Sequence, residues 1–312
     1  STMTLNKYVK FDLSANYTRT ESDNLLWQGY GGANPINGLF LWSARQINMQ
    51  SLKDNWAEKD ATGAYTFYNW NYNYHVNPYF NINENTNSYQ RDRFFGKTSL
   101  FYEPFDFLRF EGRLGMDYYN LGRFEKHYFD YGDYPEGGFS TYTEKNSELN
   151  LDFIAYFNKR FGDFDINALA GANYRDLNWE SRTLGASKLT VLGVYTIGNR
   201  KGDAATGMGY SHIRSNSVYA NASVGWRSQL YVDGSVRNDW SSTILDPIFY
   251  PSISMSWIPT TSFEGLKNNV LSFLKFRGVI AEIGNATSAY RRRATYSADS
   301  NSFNGVAQMY YS

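Results

Sequence analysis

Cysteine is absent from the 312 residues, which excludes a disulfide framework and any thiolate metal site. Histidine occurs only at positions 75, 127 and 212, so imidazole-rich metal or relay chemistry has little material to work with. Charge of one sign is also missing, since 30 Lys and Arg balance 30 Asp and Glu. No polyanionic partner, nucleic acid included, is called for by such a balance. Nowhere do eighteen apolar residues run together, so no transmembrane helix is expected. The start lacks a basic segment followed by an apolar one, and the chain reads as mature, truncated or both.

What is abundant is aromatic side chains, with 27 Tyr, 22 Phe and 8 Trp, and strict alternation. From Ser217 to Trp257, Val218, Ala220, Ala222, Val224 and Trp226 share one parity, while Ser217, Tyr219, Asn221, Ser223 and Arg227 share the other. A period of two is that of a strand with one apolar and one polar face. After Arg227-Ser228-Gln229 a second strand sets Leu230, Val232, Gly234 and Val236 against Tyr231, Asp233, Ser235 and Arg237. A polar loop from Asn238 to Phe249 precedes Ile253, Met255 and Trp257.

The same pattern recurs along the chain. Tyr8–Thr20 is the first predicted strand and Arg91–Glu103 the second. The third sets Leu108, Phe110, Leu114 and Met116 against Arg109, Glu111, Arg113 and Asp117. Four charges on one face must meet water, because each Arg facing lipid at mid-depth would cost about 2–4 kcal/mol. Strands follow at Leu149–Phe157, Ile166–Tyr174 and Leu274–Ile280, with expected loops at Phe129–Ser147, Ser181–Asn216 and Ile258–Leu271. Phe303–Tyr311 is a candidate tenth strand.

Turns after strands two, four and six are short and that after strand eight is moderate, while connections after the odd strands are longer. In bacterial barrels the short turns are periplasmic and the long loops extracellular. The first loop, Glu21 to Gln90, is far longer than an ordinary connection. It holds turn signals at Asn34-Pro35 and Asn77-Pro78, and a helical turn at Ser51–Asp54 with Ser51 as expected cap and Asp54 completing a capping box. Its aromatic content argues for order.

Gly234-Ser235-Val236-Arg237-Asn238-Asp239-Trp240-Ser241-Ser242-Thr243, followed by Phe249-Tyr250-Pro251-Ser252, closely resembles the barrel region of SusC/RagA-like TonB-dependent outer-membrane transporters. Asn77-Pro78-Tyr79 with Asn83-Glu84-Asn85-Thr86, and Leu274-Lys275-Phe276-Arg277 with Ile283-Gly284-Asn285, fit that pattern in the same order. The resemblance implies an all-β fold: an antiparallel transmembrane β-barrel segment, nine to ten strands of a larger barrel of about 22 with a plugged lumen. Residues 1–312 would be part of one barrel domain, without plug, TonB-contacting segment or final strands. It also implies a multi-pass protein of the Gram-negative outer membrane. Its partners would be a SusD-like surface lipoprotein, the TonB complex through the plug, membrane lipid, and a glycan or oligopeptide cargo.

Two residue sets are the candidate sites. Trp27, Trp42, Trp56, Trp70 and Tyr72 in the first loop combine large rigid rings with polar handles, suited to a ring or peptide ligand or to a lid. Arg109, Glu111, Arg113, Asp117, Asp233, Arg237 and Asp239 are expected to face the lumen, wetting the wall or meeting cargo or plug. No cofactor and no metal are expected, and no catalysis. His127 with Asp130 and Asp133 is the nearest approach to a hydrolytic set, but nothing beside it marks a nucleophile. Gly207-Met208-Gly209 lacks the third glycine of a dinucleotide loop, and Asp163-Phe164-Asp165 is too sparse for calcium. The other readings of the same alternation are a passive porin-like barrel and a soluble carbohydrate-binding β-sandwich.

Overall fold

The computed structural model describes residues 2–29, 34–131, 134–292, 296–304 and 306–311. Ten strands form one antiparallel sheet in which every strand pairs with its sequence neighbour. They are β1 (Thr2–Thr4), β2 (Val9–Ser22), β3 (Asn87–Phe105), β4 (Leu108–His127), β5 (Gly138–Phe161), β6 (Phe164–Ala186), β7 (Ala205–Trp226), β8 (Leu230–Ser241), β9 (Ile248–Trp257) and β10 (Phe276–Ala281). A separate two-stranded hairpin joins β11 (Tyr296–Phe303) and β12 (Val306–Tyr311). Phe303–Tyr311 is therefore not a tenth barrel strand. The short β1, beside the start of β2, is the strand that alternation did not reveal.

The sheet is sided in reverse of a soluble protein. In β4, Gly112, Leu114, Met116 and Tyr118 are exposed, whereas Glu111 is buried and Arg113 and Asp117 are half-buried. Register extends each face across the strands. Leu114 pairs with Thr98 and Leu151, and Ala170 with Ala155 and Ala220. Leu13, Leu100, Phe153, Val218, Val232 and Ile253 are all exposed on the apolar face. Among the described residues no second sheet covers that face, which removes the β-sandwich reading.

Short hairpins close one end. Phe161 pairs with Phe164 across Gly162-Asp163, with Gly162 at φ +59, a conformation that glycine adopts without strain. Arg227 and Ser228 take φ 50 and 57 in the β7–β8 turn, the primed geometry that matches strand twist. Arg227 reaches the neighbouring turn, its Nε 2.8 Å from Asp163 Oδ2.

At the other end β4 to β9 run past their alternating segments. The expected loop Phe129–Ser147 is strand from Gly138, and Ser181–Asn216 is strand up to Ala186 and again from Ala205. Asn238–Phe249 shrinks to residues 242–247, between β8 and β9. In these extensions alternation fades while backbone pairing continues. Three helices cross the long first loop: α1 (Pro35–Trp42), α2 (Met49–Asn55) and α3 (Pro78–Glu84). Asn34 and Asn77 cap α1 and α3, each with proline in the first turn, so both Asn-Pro pairs start helices. The cap of α2 is Asn48, whose Oδ1 accepts from Ser51 N at 3.0 Å, and not Ser51. No helix among the described residues is long and apolar enough to span a membrane.

Candidate functional site

The seven charged candidates of the wall share one face. Arg113 pairs with Asp152, Asp152 with Asn173, Asn173 with Ser217 and Ser217 with Asp239. One row away run Glu111, Ile154, Gly171, Tyr219 and Arg237. Gly171 leaves room for the Tyr219 ring, since a Cβ there would lie 2.7 Å from it. Arg109 pairs with Tyr156, Asp117 with Glu148, and Asp233 with Ser223 on the same side.

Within this face the charges differ in availability. Glu111, at 3% exposure, is saturated: its carboxylate accepts from Ser99 Oγ at 3.0 Å, Arg113 Nε at 2.9 Å and Tyr156 OH at 2.9 Å. Asp117 holds Arg93 in a two-pronged pair. Glu148 holds Arg175 at 2.7 Å. Arg237 bridges Asp239 at 2.6 Å and Ser217 Oγ at 2.8 Å. Asp233 accepts from Ser254 Oγ at 3.1 Å. These are wall-building contacts. A buried carboxylate is tolerable because its lone pairs are met.

The loop candidates separate into groups. Trp27 lies on His127, centroids 4.9 Å apart, and His127 stacks on Tyr134 at 3.9 Å. Trp42 and Trp70 flank His75, at 6.1 and 5.3 Å, the Trp70 ring nearly parallel to it. Burial holds the His75 imidazole below its ordinary range, partly opposed by Asp130. Trp42 and Trp70 also line a cleft of about 400 Å³ with Gln46, Asn48, Asn69 and Asn71. Tyr72 is exposed, its hydroxyl accepting from Asn69 N at 3.2 Å. Trp56 follows α2 as its C-cap, half-buried. Trp42, Trp70 and Tyr72 thus belong to one neighbourhood, and Trp27 and Trp56 stand apart from it.

Sequence reasoning missed what holds this layer together. Tyr65, Phe67 and Phe80 pack with Tyr128 and Phe129 of the β4–β5 loop. Burial, with a 2.7 Å hydrogen bond to Glu84, pushes the Tyr65 phenol up to about 12. Asn85, fully buried, donates to Asn81 Oδ1 and Phe129 O at 2.9 Å each and accepts from Tyr128 N at 2.8 Å. Asn77 donates to Leu52 O and Tyr68 O, each at 2.9 Å. The density of Asn between residues 69 and 87 was the available signal.

His212 meets Asp176 at 2.9 Å beside Arg214, on the parity of the apolar face, with tyrosines for neighbours. Asp133 lies outside the described residues. Among those residues no cluster of three metal-ligating side chains occurs.

The chain matches no protein-family model and no curated protein sequence. Solved structures do match. The RagAB peptide transporter aligns with 100% of this chain and 35% of its own, at TM-score 0.75 and 16% identity. The RagAB peptide importer in its closed-closed state gives the same values, and its open-open state gives TM-score 0.70 at 17% identity over 34% of that chain. The chain therefore has the fold of a partial barrel of the RagA type, and spans about a third of the transporter chains it matches. Those proteins are importers, not enzymes.

Proposed function

We propose that the chain is part of the wall of a SusC/RagA-like TonB-dependent importer in the bacterial outer membrane. Residues 1–312 all belong to one barrel domain in this reading. One observation carries it: over the alternating segments, as in Leu108–Tyr118 and Leu230–Arg237, apolar side chains occupy one face of the sheet and charged ones the other. Lipid is the solvent that suits such a wall, and the polar face then lines the lumen. The RagAB likeness supports the same reading.

The cargo is a glycan or oligopeptide too large for diffusion pores. It enters past the loop layer, where Trp42, Trp70 and Tyr72 offer stacking surface beside amides. A SusD-like lipoprotein covers the loops, and TonB acts through a plug in the lumen. The wall makes and breaks no bonds. The test is uptake of labelled oligosaccharides and peptides by cells carrying the intact protein. Uptake should vanish on TonB depletion and fall severalfold in Trp42→Ala/Trp70→Ala. Steady conductance without TonB would favour a passive porin and sink this reading.

A further inference from the structure

At the turn end of the wall, β3 carries a bulge. Tyr102 pairs with Phe110 but Phe105 with Leu108, so Glu103 and Pro104 together oppose Arg109. A bulge interrupts the ladder and re-aims side chains, and proline is at home there because it has no N–H to pair. A cavity of about 600 Å³ opens at this point, its lining including Lys7, Glu103, Asp106, Phe107, Arg109 and Asn158. Arg109 and Asn158 belong to the polar face, by their pairing with Tyr156 and Asn167.

The charges here do not cancel. Glu103 is taken by Lys10, whose Nζ is 2.7 Å away. Lys7 sits over the Tyr8 ring at 4.5 Å and has no acidic partner among the described residues. The Arg109 guanidinium is fixed 4.3 Å from the Tyr156 ring centroid and 5.5 Å from that of Phe101. It enters no ion pair among the described residues, and its Nε is buried without a hydrogen-bond acceptor. The lining holds two cations, Lys7 and Arg109, and two carboxylates, Glu103 and Asp106; because Lys10 from outside the lining takes Glu103, Lys7 and Arg109 are left facing Asp106 alone. A guanidinium pinned by aromatic rings is pre-organised for two-pronged binding of a carboxylate.

We infer that this cavity is a carboxylate-binding site whose occupant is an acidic polypeptide segment. An Asp or Glu of that segment pairs with Arg109, and Lys7 supplies the second cation. The inference rests on the barrel-wall reading, which puts the polar face toward the lumen and beyond the reach of lipid.

The test places a photo-reactive benzoylphenylalanine at Asn158, which lines the cavity from the polar face, in the intact protein in outer membranes and identifies the adduct by mass spectrometry. Adducts on an Asp- or Glu-bearing segment are expected, their yield falling at least fivefold in Arg109→Gln and at least twofold in Arg109→Lys, which keeps the charge but not the two-pronged fork. Heat-modifiable gel migration verifies that each variant is folded. Adducts on lipid, on segments without acidic residues, or of equal yield in Arg109→Gln would overturn the site, as would no adduct. TonB-dependent uptake by the same cells separates the two failures: uptake without an acidic adduct sinks the site alone.

Discussion

The wall and the loop layer obey opposite packing rules within one chain. Of the buried apolar residues, Leu52, Val76, Phe80 and Leu189 lie in loops and Phe139 and Ala186 at loop-proximal strand ends, with Ile154 alone inside the wall. In the wall the polar side chains are the buried ones, with Ser99, Glu111 and Ser217 at 0, 3 and 3% exposure. The loop layer is therefore a small soluble-type core, held by the hydrophobic effect. Continuous backbone pairing and a polar network hold the wall, and its apolar side chains stay exposed. The two regions should respond differently to the same kind of insult.

Removing Phe80 should have the largest effect. Phe80 is 1% exposed and edges onto Tyr65, Phe67 and Tyr128, and Phe→Ala in a core costs about 3–5 kcal/mol. The loss should stay local: amides of the first loop and of residues 128–131 exchange faster, while β4–β7 keep their protection. Hydrogen exchange by mass spectrometry measures this, and loss of protection in the strands would show that loops and wall are one cooperative unit.

Ala170→Arg probes the other rule. Ala170 lies mid-strand in β6 between Ala155 and Ala220 on the apolar face, where Arg at mid-depth costs about 2–4 kcal/mol. Asn221→Arg, on the opposite face of β7, should be close to neutral. Urea titration of the barrel refolded in vesicles compares them. Equal costs would contradict the sidedness on which the transport reading depends.

Asn85→Ala tests the seam between the regions. It orphans the Phe129 carbonyl and the Tyr128 N–H, an effect of about 1–3 kcal/mol. Limited proteolysis should then cut residues 128–137 first. Asn85→Asp keeps the acceptor and should recover part of the protection.

How far each region was legible follows from the same contrast. Where a strand has one apolar and one polar face, as in Leu108–Tyr118 or Ser217–Trp226, the period of two was plain and gave the face and the shared side of Arg109 through Asp239. Toward the loop end that division disappears, so Thr141–Ser147 and Ala205–Asn216 looked like loop though backbone pairing continues through them. The loop core was the least legible. Its contacts join Phe80 to Tyr128 and Asn85 to Phe129, distances in sequence that no local pattern encodes. The caps Asn34 and Asn77 were visible as Asn-Pro pairs, but that pair serves turns and helix starts alike.

The smallest expected effect separates the loops from one another. Glu136 joins the β4–β5 loop to the β6–β7 loop through Lys188 at 3.3 Å and Lys201. The two ammonium groups, Lys201 foremost, hold its carboxyl below the ordinary value of 4.5. A depressed carboxyl contributes stability that is full above 4.5 and disappears as pH falls through its value in the fold. Protonation should therefore release residues 188–201 at acidic pH without disturbing Phe80 or Asn85, whose contacts do not titrate there. The pair is exposed and screened by salt, so the change should be modest and smaller still in molar salt. Hydrogen exchange of residues 188–201 between pH 7 and pH 3.5, corrected for intrinsic rates, should show extra loss of protection in the native chain and a flat profile in Glu136→Gln. Identical profiles would mean that Asn199, which donates to Val191 O and Val194 O at 2.7 Å each, holds that loop by itself.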